Sequence, residues 1–418
     1  MRYFKLYEQW LEDISQNPIY AGIKPGEILE LDKDKRDLLL QLDKEYGDLY
    51  KQFWSKWRTI RCVNCNKTEY DKFIKALDQG ERYYPYIELA DDRLDENFLV
   101  DAESLKKKFQ GFNCYLSQFY ISNINFMTIQ AKVTIYKDNT QIRQEYNNVF
   151  CPQISEKNYL AAWDMINKHP YEDVREKQPH TAEDIIKRMQ DHIDKLGYKY
   201  NVVLDPYMVA RQNVNPHQPQ LNIKKDAKFS DIDVMSLQIH EVEVHVARRH
   251  YGADTGLNLF LDGLVGRNTT DEGMAIYASL HENPKGVRPN LEWDIAIKVI
   301  IGYHIMEMDF CDLFIWLLDK VKTEENKGNV GFVLFEDLLR FKRSIRNTKY
   351  LGGDAMNETD YFVGYMMVKD MSESEKDDLI RWNVGPDQIK DIPDIKKFFK
   401  HNKFKPLYDD KSKPHKDK

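Results

Sequence analysis

Residues 229–252 read FSDIDVMSLQIHEVEVHVARRHYG. Ser230 with Asp233 three residues on is a helix-start signature: the hydroxyl accepts from the Asp233 backbone N–H, and the carboxylate reaches back to the Ser230 N–H. Gly252 is a natural stop, because glycine enters the left-handed cap conformation without strain. One long helix is therefore expected, carrying His240, Glu241 and His245. Two imidazoles beside a carboxylate are parts that zinc-dependent hydrolysis needs: ligands that leave a coordination position open to water, and a base for that water's proton. In the familiar H-E-x-x-H spacing the histidines lie one turn apart on one face, whereas here the spacing is H-E-x-x-x-H. At about 100° per residue, positions five apart diverge by roughly 140° on a regular α-helix, too far for easy joint coordination. A π-bulge brings i and i+5 together, so a shared metal predicts such a distortion between His240 and His245. The spacing alone leaves two surface histidines on a charged helix as the alternative.

Upstream, LNIKK at 221–225 has the length of an edge strand, and YKYNVVLDP at 198–206 is a strand stopped by Pro206. NVNPHQPQ between them reads as turn, and 158–196 as helical. The stretch from about 115 to 137 is rich in β-branched and aromatic residues. Its alternating Met127, Ile129, Ala131, Val133 and Ile135 predict a strand or hairpin. Near the N-terminus Leu38, Leu39, Leu42, Tyr46, Leu49 and Phe53 form a helical apolar stripe. Downstream, Gly and Asn recur from 253 to 271. Helical spacing resumes in EGMAIYASLHE, breaks at NPKGVRPN, and returns over 291–324 and 332–347. The lysine-rich end predicts disorder over the last ten or so residues.

Composition narrows the function classes. Apolar residues at 42% against 31% charged describe a globular chain rather than a disordered one. A net charge of -7 lacks the basic excess that phosphate neutralisation requires, so no nucleic-acid partner is expected. No basic leader followed by an apolar run opens the chain, and the richest apolar segment, 294–318, is broken by Lys298, His304, Glu307 and Asp309. It reads as a buried helix, and no membrane partner is expected. Five cysteines, few and odd in number, favour a reducing, cytoplasmic location. Cys62 and Cys65 have zinc-knuckle spacing but no second pair, so ordinary thiols are preferred.

Further blocks follow the His240 helix. Arg248 lies three residues after His245 and Gly252 four later, then come Gly263, Leu264, Gly266, Thr270, Glu272, Gly273 and Ala275. In order and spacing these resemble the microtubule-associated tyrosine carboxypeptidase family and its bacterial relatives with a QEGLA motif. The approach at 229–241, RFKRS, and DYFVG around Tyr361 and Gly364 look similar too, so the resemblance covers about 155–370. It implies a zincin-like site with Zn2+ held by His240, His245 and Glu272, and with Glu241 as general base. Asp271 and Met274 depart from the Gln and Leu of QEGLA, Glu243 stands where the family usually has Gly, and Ser344 replaces the Gly of an R-G pair. The N-terminal 110 residues carry no placeable resemblance.

These readings make the chain α+β: a predominantly helical, zincin-like metallopeptidase with a small mixed sheet beside the metal helix. The expected organisation is a mainly helical region at 1–115, the peptidase domain at 116–395 and a lysine-rich tail at 396–418. The expected substrate is a peptide or protein C-terminal tail, cut to release one aromatic or large apolar residue. Bidentate arginine suits a terminal carboxylate, which makes Arg248 and Arg343 candidates, with an exposed salt bridge as the other reading of Arg248. Tyr361 is a candidate hydrogen-bond donor to the developing oxyanion, against an ordinary packing role. A zinc endopeptidase or aminopeptidase, or a metal-stabilised interaction protein without activity, are the competing readings.

Overall fold

The computed structural model describes residues 30–57, 66–87, 94–112, 114–136, 139–150, 154–172, 177–205, 211–215, 218–281, 287–323, 327–342, 345–353 and 355–408. The readings placed on Cys62, Cys65, Cys151, Arg343, Ser344, the first 29 residues and the last ten lie outside them. Helices dominate and the sheets are small, so the class is α+β. The chain forms two compact units, one from the described parts of 49–173 and 290–362, the other from those of 28–48, 174–289 and 363–418.

Helix α1 (Lys33–Trp57) begins in the second unit and ends in the first, which also holds α2 (Lys67–Asp78), α3 (Glu96–Phe112), α4 (Ser117–Tyr136), α5 (Thr140–Phe150) and α6 (Glu156–Lys168). Helix α4 corrects the strand expected at 115–137. It is buried on nearly every face, so it shows no amphipathic stripe, and its β-branched content and short alternation imitate a strand. Its hydroxyls bond to its own backbone: Ser122 donates to the Phe119 carbonyl and Thr134 to that of Ala131. In α1 the stripe from Leu39 to Phe53 is buried, but Leu38 is exposed.

The second unit contains β1 (His180–Thr181), α7 (Ala182–Leu196), β2 (Asn201–Asp205), β3 (Gln212–Val214), β4 (Gln220–Lys224) and β5 (Lys228–Phe229). The 158–196 stretch is thus two helices, α6 and α7, and Thr181 caps the second with a capping box. The main sheet runs β2-β4-β3, with β2 parallel and β3 antiparallel to β4. The segment expected as an edge strand is therefore the central one, with Leu221, Asn222 and Ile223 all buried. Its second neighbour, β3, lies partly in the stretch read as turn; the edge strand packed on the His240 helix is β3. Ile185, Met189, Leu221, Ile223, Leu237 and Val242 join α7, the sheet and that helix in one apolar core.

After α8 (Asp231–Ser236), a π-helical segment (Leu237–Val246) and α9 (Ala247–Asp254) come α10 (Asn258–Asp262) and α11 (Arg267–His281). The first unit resumes with α12 (Leu291–His304), α13 (Phe310–Val321) and α14 (Lys327–Lys342), and α15 (Ala355–Val368), α16 (Glu373–Trp382) and α17 (Ile392–His401) close the chain. The 294–318 stretch is two helices because Asp309 caps a new start, accepting from the Asp312 N–H. No described helix is long and apolar enough to cross a membrane. Cys114 and Cys311 are free, buried thiols.

Candidate metal centre

The capped start forms as expected, with Ser230 and Asp233 exchanging both side-chain-to-backbone bonds. Beyond it the helix widens: Leu237–Val246 is π-helical, and the Ala247 N–H reaches the Val242 carbonyl five residues back. That widening brings His240 and His245 onto one face, their ring centroids 4.8 Å apart. Gly252 does not end the helix, which runs on to Asp254. Its lack of a side chain serves contact instead, since a Cβ there would lie 2.2 Å from the Phe260 carbonyl oxygen.

Helix α11 packs across the π segment and brings Glu272 to both imidazoles. Glu272 Oε2 lies 3.4 Å from His240 Nε2 and 3.6 Å from His245 Nε2. Ligand atoms of the three residues fall within 4.8 Å of one another, and Glu272 Oε2 is buried without a well-directed hydrogen bond. Burial pushes the Glu272 carboxyl up, but the two imidazoles outweigh it and hold it at about 2, so it is anionic. Two imidazole nitrogens and one orphaned carboxylate oxygen, convergent and half-buried, fit a single divalent ion of the zinc type. Glu241 is half-buried beside His240, and among the described residues its carboxylate has no ion pair.

Packing behind Glu272 explains the glycines. A Cβ on Gly273 would sit 2.3 Å from the Gly364 carbonyl carbon, and one on Gly364 would sit 1.9 Å from the Thr269 carbonyl oxygen. Backbone meets backbone there, so Gly364→Ala is expected to lower stability by about 1–3 kcal/mol through overpacking. Chemical denaturation of the variant beside wild type measures it, and an unchanged midpoint would refute the close contact.

The remaining candidates take varied places. Arg248 is 1% exposed. Its Nη2 donates to Thr270 Oγ1 and to the Val384 carbonyl, and its Nε is 3.4 Å from Asp271. It is thus a buried internal contact rather than the exposed salt bridge considered as the alternative. Tyr361 belongs to the first unit, where Lys298 Nζ lies 4.8 Å from its ring centroid. Glu243, the departure inside the metal helix, is bonded to His192 Nε2 of α7 at 2.8 Å. His250 lies against Tyr198 and 3.7 Å from Asp254.

Sequence reasoning missed how Asp271 supports the cluster: it stands 3.0 Å from His245 Nδ1 and is paired with Arg267. Only Asp271 carried a signal, as a departure from the QEGLA pattern.

Fold and site together define a mostly helical α+β chain with a two-histidine, one-glutamate cluster suited to one metal ion. Residues 155–328 match the family described as microtubule-associated tyrosine carboxypeptidase, which bears out the resemblance drawn from the motif blocks. The match begins where the 155–370 resemblance begins but stops at 328, short of RFKRS and DYFVG, and spans less than half of the 418 residues. No match was found among curated proteins.

Proposed function

We propose that the chain is a zinc metallo-carboxypeptidase of zincin-like architecture that releases a single C-terminal residue, aromatic or large and apolar, from a peptide or protein tail. The observation that carries this reading is the convergence within 4.8 Å of His240 and His245, on a π-distorted helix that also bears Glu241, with Glu272 of α11. Bound there, zinc would acidify a water molecule and polarise a peptide carbonyl. Glu241 takes the proton from that water and returns it to the departing amine. The edge strand β3, packed on the metal helix, is suited to align an extended peptide through main-chain hydrogen bonds, leaving discrimination to the terminal residue. The family match supports cleavage at a C-terminus. With Arg248 enclosed, the terminal carboxylate is not assigned to it.

Paired peptides with free and amidated C-termini, followed by mass spectrometry, test the cleavage position. The free peptide is expected to lose one residue and the amidated one to stay intact. Internal cuts, or equal cleavage of both, would overturn the carboxypeptidase assignment and favour an endopeptidase on the same metal site.

A further inference from the structure

The geometry points to Asp271 as the positioning carboxylate for the ligand His245, forming with it and the metal a carboxylate–histidine–metal relay. This inference rests on the metal reading above. His245 has two ring nitrogens, and they face different carboxylates: Nε2 lies 3.6 Å from Glu272 Oε2, and Nδ1 lies 3.0 Å from Asp271 Oδ1. Only one tautomer serves both. With the proton on Nδ1, the ring donates towards Asp271 and leaves the Nε2 lone pair on the side of Glu272 and His240. Asp271 Oδ1 is buried, and the 3.0 Å approach of Nδ1 is closer than that of Arg248 Nε at 3.4 Å, although neither contact is aligned as a hydrogen bond.

Asp271 is itself held in place. Arg248 Nε stands 3.4 Å from Oδ1 and Arg267 Nη1 stands 3.4 Å from Oδ2. Arg248 is fixed in turn by Thr270 and the Val384 carbonyl. Two guanidiniums keep the carboxylate charged and aimed, and an anion behind an imidazole makes it a more basic ligand. The QEGLA pattern has Gln at this position, a neutral amide. The Asp in this chain sets a carboxylate against His245 and pairs it with Arg248 and Arg267.

Zinc affinity of the full-length chain, measured by competition with a chromogenic chelator, tests the proposal. Asp271→Asn keeps the size and an acceptor oxygen but removes the charge. It is expected to weaken zinc binding about 10- to 100-fold, as loss of such outer partners does. The visible spectrum of the cobalt-substituted protein should shift as well. A merely structural Asp271 would lower the melting temperature of the metal-free protein while leaving the affinity of the folded fraction unchanged, and that result overturns the proposal. Should Asp271→Asn not fold, Asp271→Gln decides, since it restores the residue of the motif: weaker zinc binding than wild type supports the relay, and equal binding refutes it. A wild-type chain that takes up no zinc would refute the metal reading instead, so the two failures are distinguishable.

Discussion

His245→Ala, purified alongside wild type, is expected to contain almost no zinc, and wild type is expected to contain one ion per chain. The three ligand atoms lie within 4.8 Å of one another on a π segment and its packing partner, α11. Removing one leaves an imidazole and a carboxylate, too few protein ligands to retain the ion through purification. His240→Ala should behave in the same way, because both Nε2 atoms approach the same Glu272 oxygen. Elemental analysis of the purified proteins gives the answer directly. The side chains are removed from a pre-formed helix capped at Ser230 and Asp233, so circular dichroism should show the fold retained. Full zinc in both variants would leave the cluster without its assigned role.

The helix start and the paired histidines were legible because their signals are local: a capping box is four residues long, and a metal shared across H-E-x-x-x-H requires a π distortion, whereas Glu272 came from the family resemblance. Features that depend on tertiary context were misread. Helix α4 is buried on nearly every face, so it lacks a helical stripe, and its short alternation imitates a strand. β4 is central only because β3, written in a Pro- and Asn-rich stretch, pairs on its far side. Gly252 carries the residue type of a stop but serves a close approach to Phe260. Contacts of long range, such as Asn383 to Phe260 or Asp43 to the α10 N–H groups of Asn258 and Leu259, leave no pattern in a single sequence.

Glu241→Gln is expected to keep its zinc and lose turnover by about 10²- to 10⁴-fold, the range that general acid–base catalysis contributes. Glutamine matches glutamate in shape, so the π segment and the neighbouring ligands are undisturbed, but an amide cannot accept the proton of an attacking water. The rival base on the same segment is Glu243, and its surroundings argue against it. Its carboxylate is tied to His192 at 2.8 Å, a bond that draws it towards α7. Glu241 is half-buried beside His240 and, among the described residues, forms no ion pair that would hold it away from a bound water. Glu243→Gln should therefore leave most of the activity intact, and zinc analysis with steady-state kinetics on a free C-terminal peptide separates the two. Undiminished hydrolysis by Glu241→Gln together with a collapse in Glu243→Gln would move the base two residues along the helix.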